Sequence, residues 1–300
     1  MHKADWSGVF PAITTPFGPD GAVDEEFLAR HTAWLLDAKC RGIVALGSLG
    51  EGATLTFAEK VRVLEVCRAA SRGRGPLVAA ISGLSTAECV ALAKAAAAAG
   101  CDGLMVLPPY VYRGDWRETE AHFSSVLDAT PLSCMLYNNP IAYGTDLSAE
   151  QVVELATKHR NVHAIKESSG DVRRVTAVRA LAGDRLALFA GLDDMILEAV
   201  AVGADGWVAG LVNALPAESV EVFALARAGR MADALRLYAW FLPLLRFDTG
   251  PKFEQLIKLV QAEVGMGTEA VRAPRLQLDA TERAAALKVI RRQLSHRVDA

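Results

Sequence analysis

Eight short apolar runs recur between residues 8 and 209, each followed by a segment whose apolar residues repeat with helical period. The runs cover 8–14, 42–46, 77–80, 103–107, 132–137, 162–166, 186–190 and 206–209. The helical patterns fall near 24–40, 56–72, 85–99, 115–129, 148–158, 171–181, 193–202 and 216–228. Runs that are apolar throughout, with no alternation, mark strands covered on both faces, as in parallel sheets flanked by helices. Regular strand–helix alternation requires parallel crossovers, and eight such units is the number that closes a barrel. The expected architecture is therefore α/β, a (β/α)8 TIM barrel over residues 1–229. An open doubly wound sheet is the competing arrangement. It calls for a glycine-rich nucleotide turn after the first strand, which Thr14-Thr15-Pro16-Phe17-Gly18 does not provide.

Helix starts support this segmentation. Ser148-Ala149-Glu150-Gln151 has the capping-box form, and Thr56, Ser85 and Asp115 suit N-cap positions. Beyond residue 229 the strand signal stops. Helical patterns at 230–245, 251–264 and 280–294, the last opened by Asp279-Ala280-Thr281-Glu282, predict a C-terminal helical extension over 230–300, packed on the barrel.

Composition narrows the function classes. With 52% hydrophobic residues the chain can fill an extensive core, and its 32 Lys+Arg nearly balance 35 Asp+Glu. No basic run points to nucleic acid. The N-terminus Met1-His2-Lys3-Ala4-Asp5-Trp6 lacks the apolar stretch of a signal peptide, and the alanine-rich segment 89–101 is too short to span a bilayer. Five cysteines (Cys40, Cys67, Cys89, Cys101, Cys134) sit in apolar contexts without C-x-x-C spacing, as reduced core thiols do. A soluble, cytoplasmic protein with no membrane partner is expected. No metal is expected either, and His163, in mid-strand, reads as a packing residue.

In a barrel of this kind chemistry gathers at the C-terminal ends of the strands. The sixth run ends in Ile165-Lys166-Glu167-Ser168-Ser169-Gly170, where a cation closes an apolar strand. Burial disfavours an ammonium ion, and an uncharged lysine amine attacks carbonyl carbon. A snorkelling surface lysine is the plainer alternative. The fifth run ends in Tyr137-Asn138-Asn139-Pro140, so a tyrosine and a lysine would share one end of adjacent strands, a pairing suited to Schiff-base formation with a proton shuttle. The loop Gly47-Ser48-Leu49-Gly50-Glu51-Gly52 lacks the Gly-Lys-Ser/Thr of a Walker loop, and Glu51 opposes a phosphate. A small carboxylate held by Ser48 and neighbouring amides fits better. Asp193 and Asp194 could cap a helix, bind substrate hydroxyls or hold a cation, with the first two favoured. Candidate catalytic residues are thus Lys166, Tyr137 and Ser48, with Leu49, Asn139, Gly191, Asp193 and Val208 as candidate substrate contacts.

Gly47-x-x-Gly50-Glu51, Tyr137-Asn138-x-Pro140 and Ile165-Lys166-Glu167-Ser168-Ser169-Gly170 resemble, in order and spacing, the motifs of the dihydrodipicolinate synthase/N-acetylneuraminate lyase family. The resemblance runs from Gly8-Val9-Phe10-Pro11-Ala12 through the C-terminal helices. It implies a (β/α)8 barrel, usually a homotetramer, and class I lyase chemistry without a cofactor. The residue matching Lys166 forms a Schiff base with a 2-oxo acid, the one matching Tyr137 relays protons, and the positions matching Ser48 and Leu49 bind the substrate carboxylate. Four positions depart from the synthases: Ser48 and Leu49 replace a Thr-Thr pair, Ala142 stands where an arginine would meet a second carboxylate, and Val111 replaces a tyrosine. Together with Tyr137-Asn138-Asn139-Pro140-Ile141-Ala142-Tyr143 and Gly206-Trp207-Val208-Ala209-Gly210, these details most resemble the Δ1-pyrroline-4-hydroxy-2-carboxylate deaminases of hydroxyproline breakdown. The implied substrate is a small 2-oxo acid or cyclic imino acid. A pyruvate-dependent aldolase or sugar-acid dehydratase using the same lysine is the alternative, and a non-catalytic 2-oxo-acid sensor the rival outside enzymes.

Overall fold

A computed structural model describes residues 1–297; positions 298–300 of the expected extension lie outside the described residues. Eight strands are present among them: β1 (Gly8–Pro11), β2 (Ile43–Ala45), β3 (Leu77–Ile81), β4 (Gly103–Val106), β5 (Ser133–Asn138), β6 (Val162–Glu167), β7 (Ala187–Ala190) and β8 (Gly206–Ala209). Every neighbouring pair is parallel, in the order β1-β8-β7-β6-β5-β4-β3-β2. A parallel bridge between Ala12 and Val44, with the Ile13 N–H donating to the Val44 carbonyl at 2.9 Å, joins β1 to β2. The sheet closes into the expected (β/α)8 TIM barrel.

The helices follow the same alternation. They are α1 (Glu25–Asp37), α2 (Phe57–Ser71), α3 (Thr86–Ala98), α4 (Trp116–Asp128), the single turn α5 (Pro140–Tyr143), α6 (Ala149–Lys158), α7 (Arg173–Ala182), α8 (Ile196–Ala201) and α9 (Pro216–Arg227). Three more close the chain: α10 (Met231–Leu245), α11 (Phe253–Glu263) and α12 (Ala280–Ser295). Thr56, Asp115, Ser148 and Asp279 each complete a capping box, and Ser85 accepts from the Glu88 N–H, so these starts are set locally. Two departures from the sequence expectation lie at the strand ends that carry the site. The first strand ends at Pro11, and Thr14 turns away, its N–H donating to Asn213 Oδ1 at 3.2 Å. The 193–202 pattern divides into a 3-10 turn, Asp193–Met195, and the short α8.

The two ends of the barrel are built differently. At the strand starts, Trp6, Phe10 and Phe189 form an aromatic cluster with centroids 5.7–6.1 Å apart, against Gly42, Gly103 and Gly206. The Trp6 indole donates to Ser133 Oγ at 2.7 Å, which also meets His163 Nδ1 at 2.7 Å. His163 is thus the packing residue anticipated, and His159, four positions earlier, is held by Asp128 and Ser124. The five cysteines are buried and free, and burial pushes their thiols up to about 11 or 12. Among the described residues no helix is long and apolar enough to cross a membrane.

The C-terminal helices pack on the barrel: α10 lies against α9 and α12, and α11 reaches the glycine loop after β2 through Lys258. There Lys258 of α11 pairs with Glu51 at 2.5 Å, and the Arg272 N–H donates to the other Glu51 oxygen at 2.9 Å.

Candidate active site

At the strand ends opposite the aromatic cluster a cavity of about 960 Å³ opens. Its floor is set by strand register. Tyr137 of β5 pairs directly with Lys166 of β6, which pairs in turn with Phe189 of β7. Side chains in register on neighbouring strands point the same way, and the Lys166 Nζ lies over the Tyr137 ring, 4.3 Å from its centroid. Lys166 is only 6% exposed, and its ammonium has no hydrogen-bond partner among the described residues. Gly191, just past β7, makes room for it: a Cβ there would stand 2.7 Å from Lys166 Cε. Glu167 turns outward, where Asn138 Nδ2 and the Ser169 N–H donate to it at 3.0 and 2.6 Å; burial raises its carboxyl and those bonds oppose the rise.

Tyr137 is oriented by its own loop. Asn139 Nδ2 donates to the Tyr137 hydroxyl at 3.0 Å while Asn139 Oδ1 receives the Ala142 N–H at 3.0 Å, capping α5. With its acceptor role met by Asn139, the Tyr137 hydroxyl is free to direct its proton into the cavity. Ser48 does not meet Tyr137. Its Oγ is hydrogen-bonded to the hydroxyl of Tyr143, whose ring stands edge-on to Tyr137 at 5.8 Å and stacks on Tyr110 at 5.3 Å. Burial, with Tyr137 and Tyr110 close by, holds the Tyr143 phenol well above its usual range, so it remains a proton donor.

The glycine loop closes as a tight turn, with the Glu51 N–H on Ser48 O at 2.9 Å and the Gly52 N–H on Gly47 O at 3.2 Å. The N–H groups of Ser48 and Leu49 have no acceptor among the described residues, which suits a substrate carboxylate. Non-glycine residues with positive φ gather around this mouth: Leu46 (67°), Glu51 (52°) and Val111 (68°). For a β-branched residue such as Val111 that conformation is strained, a condition concentrated at functional sites.

Lys166, Tyr137, Ser48, Leu49, Asn139, Gly191 and Val208 all line the cavity. Asp193 does not. It is fully enclosed, its carboxylate taken by the Trp207 indole at 2.9 Å and by the N–H groups of Gly210 (3.0 Å) and Leu211 (2.7 Å). Burial pushes it up to about 6 while those donors pull against the rise. It caps no helix and takes no part in the cavity lining; it holds the turn after β8 to the turn after β7. Asp194, its neighbour, lines the cavity instead.

Three wall residues have no counterpart in the sequence reading. Arg113, in the loop after β4, lines the wall beside Gly144 and has no ion-pair partner among the described residues. It offers a cation near the place where Ala142 withholds one. Asp248 and Glu254 line the opposite wall, Glu254 tied to Arg275 at 2.5 Å.

The sequence profile of the dihydrodipicolinate synthetase family matches residues 5–293. The chain belongs to this family. It is 33% identical over 285 residues to a 4-hydroxy-tetrahydrodipicolinate synthase of Salinibacter ruber, covering 93% of this chain and 92% of that one. A second, from Methanothrix thermoacetophila, is 34% identical over 271 residues, with 89% and 90% covered. Among solved structures, a dihydrodipicolinate synthase from Bacillus anthracis superposes with a TM-score of 0.92 at 29% identity, covering 97% of this chain and 99% of that one. The chloride-inhibited dihydrodipicolinate synthase of Acinetobacter baumannii complexed with pyruvate gives 0.91 at 28%, with 96% and 98% covered. The family resemblance read from the three motifs stands; a specific likeness to the hydroxyproline-pathway deaminases is not what these relatives' names carry.

Proposed function

We propose that the protein is a Schiff-base lyase acting on 2-oxo acids, with Lys166 as nucleophile. The observation that carries this is the Lys166 amine itself, buried at the cavity floor, unpartnered and set over Tyr137. With the substrate carboxylate on the Ser48 and Leu49 N–H groups, the amine adds to C2, the carbonyl oxygen takes protons and leaves as water, and an iminium ion remains. That cation acidifies the C3–H, and loss of the proton gives an enamine. The Tyr137 hydroxyl, oriented by Asn139, carries protons to and from the departing oxygen and C3, and Tyr143 with Ser48 extends the path toward the mouth.

What the enamine does next decides the substrate. The relatives named as synthases, and the pyruvate complex of the Acinetobacter baumannii enzyme, support addition of pyruvate to an aldehyde, and Arg113 supplies a cation for an acidic aldehyde. The second reading is deamination of Δ1-pyrroline-4-hydroxy-2-carboxylate: Lys166 attacks the ring imine carbon, the ring opens, the 4-hydroxyl is eliminated, and hydrolysis yields 2-oxoglutarate semialdehyde and ammonia. Its support is the apolar side chains of Ala142 and Leu192 in the cavity lining, which suit a compact substrate with one carboxylate and no further charge to place beside Arg113. Incubation with pyruvate plus aspartate semialdehyde, and separately with the pyrroline, decides between them by pyruvate consumption against ammonia release. A borohydride-trapped pyruvate adduct with no turnover of either substrate or of sugar acids would favour a sensor. A homotetramer in the cytoplasm is the setting proposed for this chemistry.

A further inference from the structure

Between α10 and α11 a single 3-10 turn, Arg246–Thr249, folds over the end of β8 and brings Asp248 into the cavity wall. Gly210 permits this approach: a Cβ at that position would stand 1.9 Å from Asp248 Oδ1. Two other carboxylates near this wall are engaged, whereas that of Asp194 has no hydrogen bond among the described residues. Asp193 holds three N–H donors, and Glu254 holds Arg275. The Asp248 carboxyl has neither a hydrogen bond nor an ion pair among the described residues, although it stands close enough to Lys166 to feel its charge.

We propose that Asp248 contacts the substrate directly, hydrogen-bonding a hydroxyl or carbonyl oxygen on the carbons beyond the Schiff-base carbon, and thereby selects against a carboxylate at that position. Burial and the neighbouring Asp193 push this carboxyl well above the usual carboxylate range, against the pull of Lys166, and Asp194 and Glu254 push in the same direction. A neutral carboxyl both donates and accepts, so it matches a hydroxyl or carbonyl oxygen in either role. Asp193 and Asp194 beside it make this part of the wall acidic, and a second carboxylate would have to approach them. The uncharged end of the substrate therefore lies toward β8, and any anionic end is directed to Arg113 across the cavity.

The inference rests on the Schiff-base reading, and one assay separates the two. Borohydride trapping is titrated with 5-hydroxy-2-oxopentanoate and with 2-oxoglutarate, which differ in a terminal hydroxymethyl against a carboxylate, and the adduct is quantified by mass. Wild type is expected to be half-labelled at a hydroxy acid concentration at least tenfold below that needed for the dicarboxylate. Asp248→Ala should lose most of that preference and Asp248→Asn, which keeps a hydrogen-bonding group, should restore part of it, with melting curves confirming that both variants are folded. An unchanged preference in Asp248→Ala, or an equal loss for both acids in a folded variant, overturns the contact. Failure of wild type to form an adduct with either acid or with pyruvate removes the Schiff-base reading itself, and this inference with it.

Discussion

Lys258 and Lys166 are both buried, at 2% and 6% exposure, and both lie against an aromatic ring, Phe17 and Tyr137 respectively. Their surroundings differ in what happens to the three ammonium protons. Lys258 places all three: on Thr15 O at 2.8 Å, on Glu51 Oε1 at 2.5 Å and on Ala270 O at 2.7 Å. Lys166 places none among the described residues. Burial pulls the Lys258 ammonium down, and Glu51 opposes that pull. A lysine with every donor satisfied is a fastener, here joining α11 to the glycine loop. A lysine left unpartnered in a cavity keeps its lone pair available once a proton leaves, which a nucleophile requires. Burial alone does not mark a catalytic lysine; unmet hydrogen-bonding capacity beside a cavity does.

Exchanging either side chain tests this contrast, and the largest effect belongs to Lys166. Lys166→Ala should lower kcat by roughly 10⁴-fold or more, as loss of a covalent nucleophile does, while the melting temperature holds or rises, because no hydrogen bond is lost. A fall in Tm without loss of turnover would reverse the assignments of the two lysines. Next is Tyr137→Phe, which keeps the ring under Lys166 and removes only the hydroxyl. Turnover should drop by roughly 10²–10⁴-fold with the pyruvate adduct still formed, the usual size of an acid–base contribution. A near-normal kcat would move the proton path to Tyr143 and Ser48.

Lys258→Met should do the opposite of Lys166→Ala: about 3–5 kcal/mol of stability lost, because the buried Glu51 loses its close ion-pair partner and keeps only the Arg272 N–H and the more distant Arg275 at 3.9 Å. Adding Glu51→Gln should recover part of that loss, and urea unfolding of the single and double variants measures it. If Lys258→Met unfolds at the wild-type midpoint, the fastener role is wrong. The smallest effect concerns Arg272, which binds Glu59 at 2.8 Å from the same segment and holds its carboxyl down to about 2. A depressed carboxyl stabilises the fold above the unfolded value near 4.5, and that contribution, about 1 kcal/mol after solvent screening, is lost as pH falls from about 4.5 to about 2. Arg272→Ala should flatten this part of the stability profile; an unchanged acid slope would contradict it.

Legibility in the sequence followed the same division. Strand ends carry their chemistry in local pattern, so Lys166 and Tyr137 were visible as polar residues closing apolar runs, and the eight runs themselves implied the closed barrel. Ser48 and Leu49 were legible because a glycine loop exposes its amides whatever surrounds it. Glu51 was visible as an acid in that loop, but its partner Lys258 is 207 residues away, and no local pattern joins them. Asp193 followed by Asp194 looks like a cap or ligand pair; only the folded chain shows the first turned into the Trp207 indole and the Gly210 and Leu211 N–H groups. Arg113 and Asp248 sit in connections whose paths are fixed by tertiary packing, so their arrival at the cavity left no periodic trace.

Borohydride reduction in the presence of pyruvate, followed by peptide mass mapping, tests the contrast most directly. The account predicts one reduced adduct, on the peptide containing Lys166, none on the peptide containing Lys258, and no labelling in Lys166→Ala. Labelling that persists at full level in Lys166→Ala would contradict it.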